Sequence, residues 1–172
     1  MAIAQEHPAS HWVESREGQI PEGAWYVGEN AGGRGWYDEG LHVGYVVPGR
    51  GLMIGYGGNE VNLRQYEVLR GDPAQYRWIG WWVFVGIRCF RIDHVSVDNI
   101  FAQIPTDLVK VLAIHDISFP YMDGRELYIA KGWYNGREVT GKAGPHLEEG
   151  MSFGIDGQEN SLQDYQVLAL LG

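Results

Sequence analysis

The sequence predicts an all-β protein of antiparallel sheets, and three observations carry that reading. Glycine occupies 25 of 172 positions and punctuates short aromatic and β-branched runs that lack a helical period. Gly57-Gly58, Asp123-Gly124, Asn135-Gly136 and Asp156-Gly157 stand between such runs, and each pair tolerates the positive φ angles of a tight hairpin. The second half of the chain also restates short motifs of the first in the same order, as a tandem repeat does.

Taken in chain order, the strand-length runs are Ala24 to Val27, His42 to Val47, Gln65 to Leu69, Leu127 to Ala130 and Tyr165 to Leu168. The best helix candidate, Thr106 to Ile114, follows Pro105 and is rich in valine and isoleucine, so it too is read as extended. The self-match is ungapped from Gly51–Leu69 onto Gly150–Leu168, pairing Gly55 with Gly154, Glu60 with Glu159 and Tyr66 with Tyr165. Upstream, Gln19-Ile20-Pro21 returns as Gln103-Ile104-Pro105, Gly33-Arg34-x-x-Tyr37 as Gly124-Arg125-x-x-Tyr128, and Gly49-Arg50 as Gly141-Lys142. The offset widens along the chain, which places added surface loops near Ile114 to Met122 and Ala143 to Glu149. A single domain over 1–172 is expected: repeat one at about 12–70, an apolar connecting segment at 71–95, and repeat two at about 96–170, the repeats related by internal pseudo-twofold symmetry. The connecting segment holds Trp78, Trp81, Trp82, Phe84 and Phe90. It is too apolar for a flexible linker and either welds the repeats together or meets a second chain.

Composition narrows the partners. Lysine and arginine total 13 against 22 acidic residues, a formal charge of −9, and a field of that sign repels phosphate backbones and anionic lipid heads. Neither nucleic acid nor membrane insertion is expected. Cys89 is the single cysteine, so an intrachain disulfide and a cysteine zinc cluster are both excluded. Gln5, Glu6, His7 and Pro8 stand where a signal peptide would be apolar, giving a cytoplasmic expectation with non-classical release as the route out. Trp78 to Phe90 is too short to span a bilayer as a helix and reads as core.

With the motifs assembled, the chain resembles the DM9 repeat family, which overlaps natterin-like proteins. The first copy carries Trp12-Val13, Gly18-Gln19-Ile20-Pro21, Gly28 through Gly33, Trp36-Tyr37, Pro48-Gly49-Arg50, Tyr56-Gly57-Gly58-Asn59-Glu60 and Tyr66-Glu67-Val68-Leu69. The second carries Gln103-Ile104-Pro105, His115-Asp116, Asp123-Gly124, Leu127-Tyr128-Ile129-Ala130-Lys131, Gly141-Lys142, Asp156-Gly157-Gln158-Glu159 and Tyr165-Gln166-Val167-Leu168. The resemblance implies a mannose-binding lectin. Its sugar contacts would be Asn30 with Arg50 in one copy and Asp116 with Lys142 in the other, Asp123 lying in the same acidic segment. Departures from the pattern are Asn30 and Gly32 in place of aspartates, Arg50 in place of lysine, and Thr140 before Gly141-Lys142.

The side-chain chemistry suits a sugar. Adjacent hydroxyls of a hexose each donate one hydrogen bond and accept two, so an oxygen acceptor beside a cationic donor serves both functions. Trp36 and Tyr45 in one copy, and Trp133 and Tyr134 in the other, offer aromatic faces to the C–H side of a ring. Weak single sites would be reinforced in a dimer or tetramer. The plainer readings are turns for Asp123-Gly124 and Asn135-Gly136, solvated cations for Arg50 and Lys142, a turn cap for Asp116 and structural hydrogen bonds for Glu60 and Glu159. A nucleophile elbow, a His-Glu-x-x-His helix and a phosphate loop are missing from the sequence. Cys89, Asp93 and His94 sit too close together in an extended run to converge. The expectation is a non-catalytic lectin without cofactor or metal, with up to two mannose sites per chain. The alternative is a structural or protein-interaction module of natterin-like type that uses the tryptophan-rich segment as its interface.

Overall fold

A computed structural model of the chain describes residues 12–38, 40–71, 74, 76–80, 127–144 and 146–170. These residues form thirteen strands and no α-helix. The strands are β1 (Trp12–Arg16), β2 (Tyr26–Val27), β3 (Asn30–Tyr37), β4 (Gly40–Val47), β5 (Gly51–Tyr56), β6 (Asn59–Leu63), β7 (Gln65–Leu69), β8 (Tyr76–Gly80), β9 (Tyr128–Tyr134), β10 (Arg137–Ala143), β11 (Met151–Ile155), β12 (Gln158–Leu162) and β13 (Gln166–Leu170).

All pairings are antiparallel, in the order β1-β7-β3-β4-β5-β6-β12-β11-β10-β9-β13-β8, with β2 added beside β3. The all-β class expected from the glycine punctuation is thus the observed one. The hairpins close where the dipeptides predict. Gly57 and Gly58 turn at φ 60° and 83°, Asn135 and Gly136 at 49° and 79°, and Asp156 and Gly157 at 53° and 83°. Two consecutive positive φ values give a turn whose twist matches the strands it joins.

The sheet doubles back, so that β4 packs on β10 and β5 on β11. That explains why Gly51 to Gly55 and all of β11 are buried, although strands with one wet face alternate. Leu52, Ile54, Val46 and Val68 fill one core region, and Met151, Phe153, Ala130 and Val167 another. Val43, Leu69, Ile129 and Leu168 join strands from both ends of the sheet between them. The layers approach closely at Gly55 and Gly154, where a β-carbon would collide with the backbone of Phe153 and the carbonyl oxygen of Ile54 respectively.

The two inner hairpins meet through little ladder. Gln158 opposite Asn59 is the register pair between β12 and β6. A reciprocal set of turn contacts reinforces it: Gly58 N donates to Glu159 Oε2 at 2.9 Å and Gly157 N to Glu60 Oε2 at 2.8 Å. The main chain repeats the exchange, Glu60 N to Gly157 O at 3.2 Å and Glu159 N to Gly58 O at 3.1 Å. Glu60 and Glu159 therefore serve structural hydrogen bonds.

At the sheet edges, Trp12 pairs with Leu69 and Trp78 with Leu168. Arg34 lies 4.4 Å from the Trp12 ring centroid and Lys131 lies 4.7 Å from that of Trp78. Part of the apolar segment expected to lie outside both repeats is therefore β8, the last strand of the sheet among the described residues, and from residue 81 onward that segment lies outside the described residues. So does the run from Thr106 to Ile114 and the added loop near Ile114 to Met122. The other added stretch leaves β10 at Ala143 and turns through hydrogen bonds from Leu147 N to Gly144 O and from Gly150 N to Leu147 O. No helix among the described residues is long and apolar enough to cross a membrane.

Candidate functional site

A cavity of about 830 Å³ opens between the start of β3, the β4–β5 turn and the ends of the β9–β10 and β11–β12 hairpins. Its lining includes Asn30, Tyr45, Arg50 and Trp133, four of the residues expected to touch sugar, together with Glu29, Glu60, Arg137, Glu138 and Asp156. Volumes of this size are typical of small-molecule sites.

Local structure sets each side chain. Asn30 opens β3 opposite Val27. Arg50 follows the Pro48-Gly49 turn, whose backbone is anchored by Arg50 N to Val47 O at 3.0 Å and Gly49 N to Gly18 O at 3.3 Å. Asn62 Nδ2 caps the Arg50 carbonyl at 3.3 Å. Among the described residues, neither the Asn30 amide nor the Arg50 guanidinium has a side-chain hydrogen bond or ion pair. Both are available to a ligand.

Tyr45 forms part of the floor, its hydroxyl 3.2 Å from Glu60 Oε1 and 3.0 Å from the Gly154 carbonyl. Burial, with the Glu60 charge beside it, pushes the phenol above its ordinary pKa, so it stays a neutral hydrogen-bonding group. Trp133 also lines the cavity and is 69% exposed, an apolar plate open to solvent. Arg137 pairs with Asp156 at 3.2 Å and Glu138 with Lys131 at 2.8 Å.

Lys142 is placed differently. The sequence match sets it against Arg50, but strand pairing puts it near the end of β10 opposite Ser152, the station that Tyr45 holds opposite Met53. It is only 4% exposed. Its ammonium donates to the Gly55 carbonyl at 2.6 Å, lies 3.1 Å from His42 Nδ1, and sits 5.6 Å from the Tyr56 ring centroid. His42 Nε2 is 3.1 Å from the Tyr37 carbonyl, which fixes the tautomer: Nε2 donates and Nδ1 accepts from Lys142. Burial, then the Lys142 charge, lowers the His42 pKa to about 4, and burial lowers that of Lys142.

Trp36 is 57% exposed at the end of β3 and is not among the cavity's lining residues. Asp116 and Asp123 lie outside the described residues. Glu29, Arg137, Glu138 and Asp156 were not foreseen as lining, since they carry no ligand motif. The only signal was their position beside hairpin turns, where side chains from separate hairpins converge. Among the described residues no group of three or more His, Cys, Asp or Glu side chains could hold a metal ion.

No family model and no curated protein matches the sequence. Among solved structures the chain is similar to the nematode sperm cell motility protein MFP2B, with a TM-score of 0.57 at 12% identity. The match covers 93% of this chain and 44% of that one. At that identity the likeness is one of fold, and this chain spans less than half the length of its structural neighbour.

Proposed function

We propose that the chain is a non-catalytic carbohydrate-binding protein of the DM9 type, taking mannose or a mannose-terminated glycan in the cavity beside Asn30. One observation carries the reading: Asn30 and Arg50, 20 positions apart in sequence, line one cavity with their polar groups unspent and an exposed indole in the same lining. The amide both donates and accepts, and the guanidinium fork donates to two oxygens, so a vicinal diol satisfies both. Trp133 offers the apolar surface that the C–H face of a pyranose needs. A pseudo-twofold relation of the two repeats and assembly into a homo-oligomer belong to the same proposal, the second raising avidity for clustered glycans.

A glycan array identifies the sugar, and calorimetry with methyl α-mannoside tests the residues. Asn30→Ala and Arg50→Ala are each expected to weaken binding roughly ten- to a hundredfold, as expected for loss of about 1–3 kcal/mol per unpaired polar group, with an unchanged circular-dichroism spectrum. Parent-like affinity in both folded variants would place any sugar elsewhere.

A further inference from the structure

We infer that the described fold offers one glycan cavity rather than two, and that its second wall, Trp133 with the Arg137–Asp156 pair, selects an uncharged pyranose. This deepens the carbohydrate reading above and rests on it.

The cavity is built from both ends of the sheet. Asn30, Tyr45 and Arg50 come from β3, β4 and the turn after β4, whereas Trp133, Arg137 and Asp156 come from hairpins β9–β10 and β11–β12. A sugar held by Asn30 and Arg50 therefore shares the cavity with Trp133, the exposed indole that the second half of the chain adds to the lining.

The corresponding place in the other half is filled by the protein itself. Tyr45 and Lys142 occupy the same register station, opposite Met53 and Ser152, and each reaches a carbonyl of the facing layer, Gly154 for Tyr45 and Gly55 for Lys142. Over Tyr45 the cavity is open. Over Lys142 lie His42 and Tyr56, their rings edge-to-face with centroids 5.0 Å apart, and Tyr37 packs on Tyr56 at 5.2 Å. The Tyr56 hydroxyl donates to Asp38 Oδ2 at 2.5 Å, tying the rings to the β3–β4 turn. The ammonium that the sequence offered to a sugar is thus consumed by a backbone carbonyl and an imidazole.

Charge defines the ligand class. Among the described residues the cavity lining holds Glu29, Glu60, Glu138 and Asp156 against Arg50 and Arg137, a net negative rim that repels carboxylated sugars. Because Arg137 is paired with Asp156, Arg50 is the lining guanidinium left to a ligand. Among the described lining residues, one free cation amid carboxylates suits hydroxyls better than a sialic or uronic acid.

Calorimetric titration of the full chain with methyl α-mannoside, and with methyl glucuronide and sialic acid as charged controls, tests this. The expected result is one sugar per chain, at least tenfold weaker charged-sugar binding, at least tenfold loss in Trp133→Ala, most affinity retained in Trp133→Phe, and parent-like binding in Trp36→Ala. Two sugars per chain, or equal losses from Trp36→Ala and Trp133→Ala, would overturn the single cavity while leaving carbohydrate binding intact. Binding lost in Asn30→Ala but unchanged in Trp133→Ala would overturn the second wall alone, and equal affinity for the charged sugars would overturn the selectivity. No heat with any of the three sugars and no signal on a glycan array would overturn this inference and the carbohydrate reading together.

Discussion

Lys142 Nζ lies 3.1 Å from His42 Nδ1, so a buried ammonium on β10 and a buried imidazole on β4 share one hydrogen bond across the two layers of the sheet. The bond requires a neutral imidazole. Desolvation holds the imidazole neutral, and the Gly55 carbonyl takes a second ammonium proton.

The first prediction follows from that pair. His42 faces Lys142, Glu159 and Asp38, and its pKa falls from the ordinary 6.5 to about 4, chiefly through burial. Between those values the unfolded chain binds a proton that the folded chain refuses, so stability is full above about pH 6.5 and declines as the pH drops towards about 4. The difference corresponds to roughly 3 kcal/mol. Urea titrations at pH 7.5 and 4.5 should show a larger acid loss in the parent than in His42→Gln. Equal losses would mean that other groups govern the acid limb.

Removing the ammonium is expected to be costly at neutral pH. Lys142→Ala leaves the Gly55 carbonyl and His42 Nδ1 without their donor in a buried layer, a penalty of about 1–3 kcal/mol per orphaned group. Guanidinium unfolding gives the number, and a loss below about 0.5 kcal/mol would show that water replaces the donor.

Gly44 and Gly32 make a paired test of the close contact between the neighbouring strands β4 and β5. A β-carbon on Gly44 would strike the Met53 carbonyl, whereas one on Gly32 meets nothing within 4 Å. Gly44→Ala should cost more than about 2 kcal/mol through displaced backbone, and Gly32→Ala should be neutral or stabilising by up to about 1 kcal/mol. Thermal melts should place Gly44→Ala well below both the parent and Gly32→Ala, and similar shifts in the two variants would count against this strand geometry.

Arg34 anchors the β1 edge. It is 4% exposed, its Nε lies 2.6 Å from Glu67 Oε2, and its guanidinium covers Trp12. Arg34→Ala removes both contacts and should destabilise by about 2–4 kcal/mol, somewhat below the cost of breaking a fully buried pair because Glu67 keeps partial access to water. Hydrogen exchange should locate the loss at β1 and β7. Uniform loosening of the whole sheet would contradict a local anchor.

Glu60 and Glu159 should behave as a coupled pair. Each accepts from the other hairpin's turn, and Glu159 also accepts from Ser152 Oγ. Glu60→Gln and Glu159→Gln are each expected to cost about 1 kcal/mol, with the double variant departing from additivity by more than about 0.5 kcal/mol. Strict additivity in a double-mutant cycle would show that the two turns act independently.

The strands and turns were legible because their causes are local. Asn135-Gly136 and Asp156-Gly157 turn where they do because few other residue pairs accept two positive φ angles. The runs at His42 to Val47 and Gln65 to Leu69 extend because their side chains suit a pleated surface. The self-match also marked Glu60 and Glu159 as equivalent, and their shared turn contacts are observed. Register was less legible: a shared Gly-Arg or Gly-Lys pair set Lys142 beside Arg50, whereas the ladder sets it beside Tyr45's station. A one-residue slip of a strand reverses which layer a side chain faces, and short motif matches do not fix it.

By itself the sequence determined the all-β class, the hairpin turns and the polar residues Asn30 and Arg50, since backbone preference and side-chain chemistry belong to single residues and their neighbours. The tertiary structure decided which of those polar groups remain free. Folding the sheet back on itself buries Lys142 between layers, where only protein partners can satisfy it, and leaves Asn30 and Arg50 facing open space beside Trp133. Availability to a ligand depends on what the opposite layer brings within hydrogen-bond distance, and that is fixed by contacts between residues about a hundred positions apart.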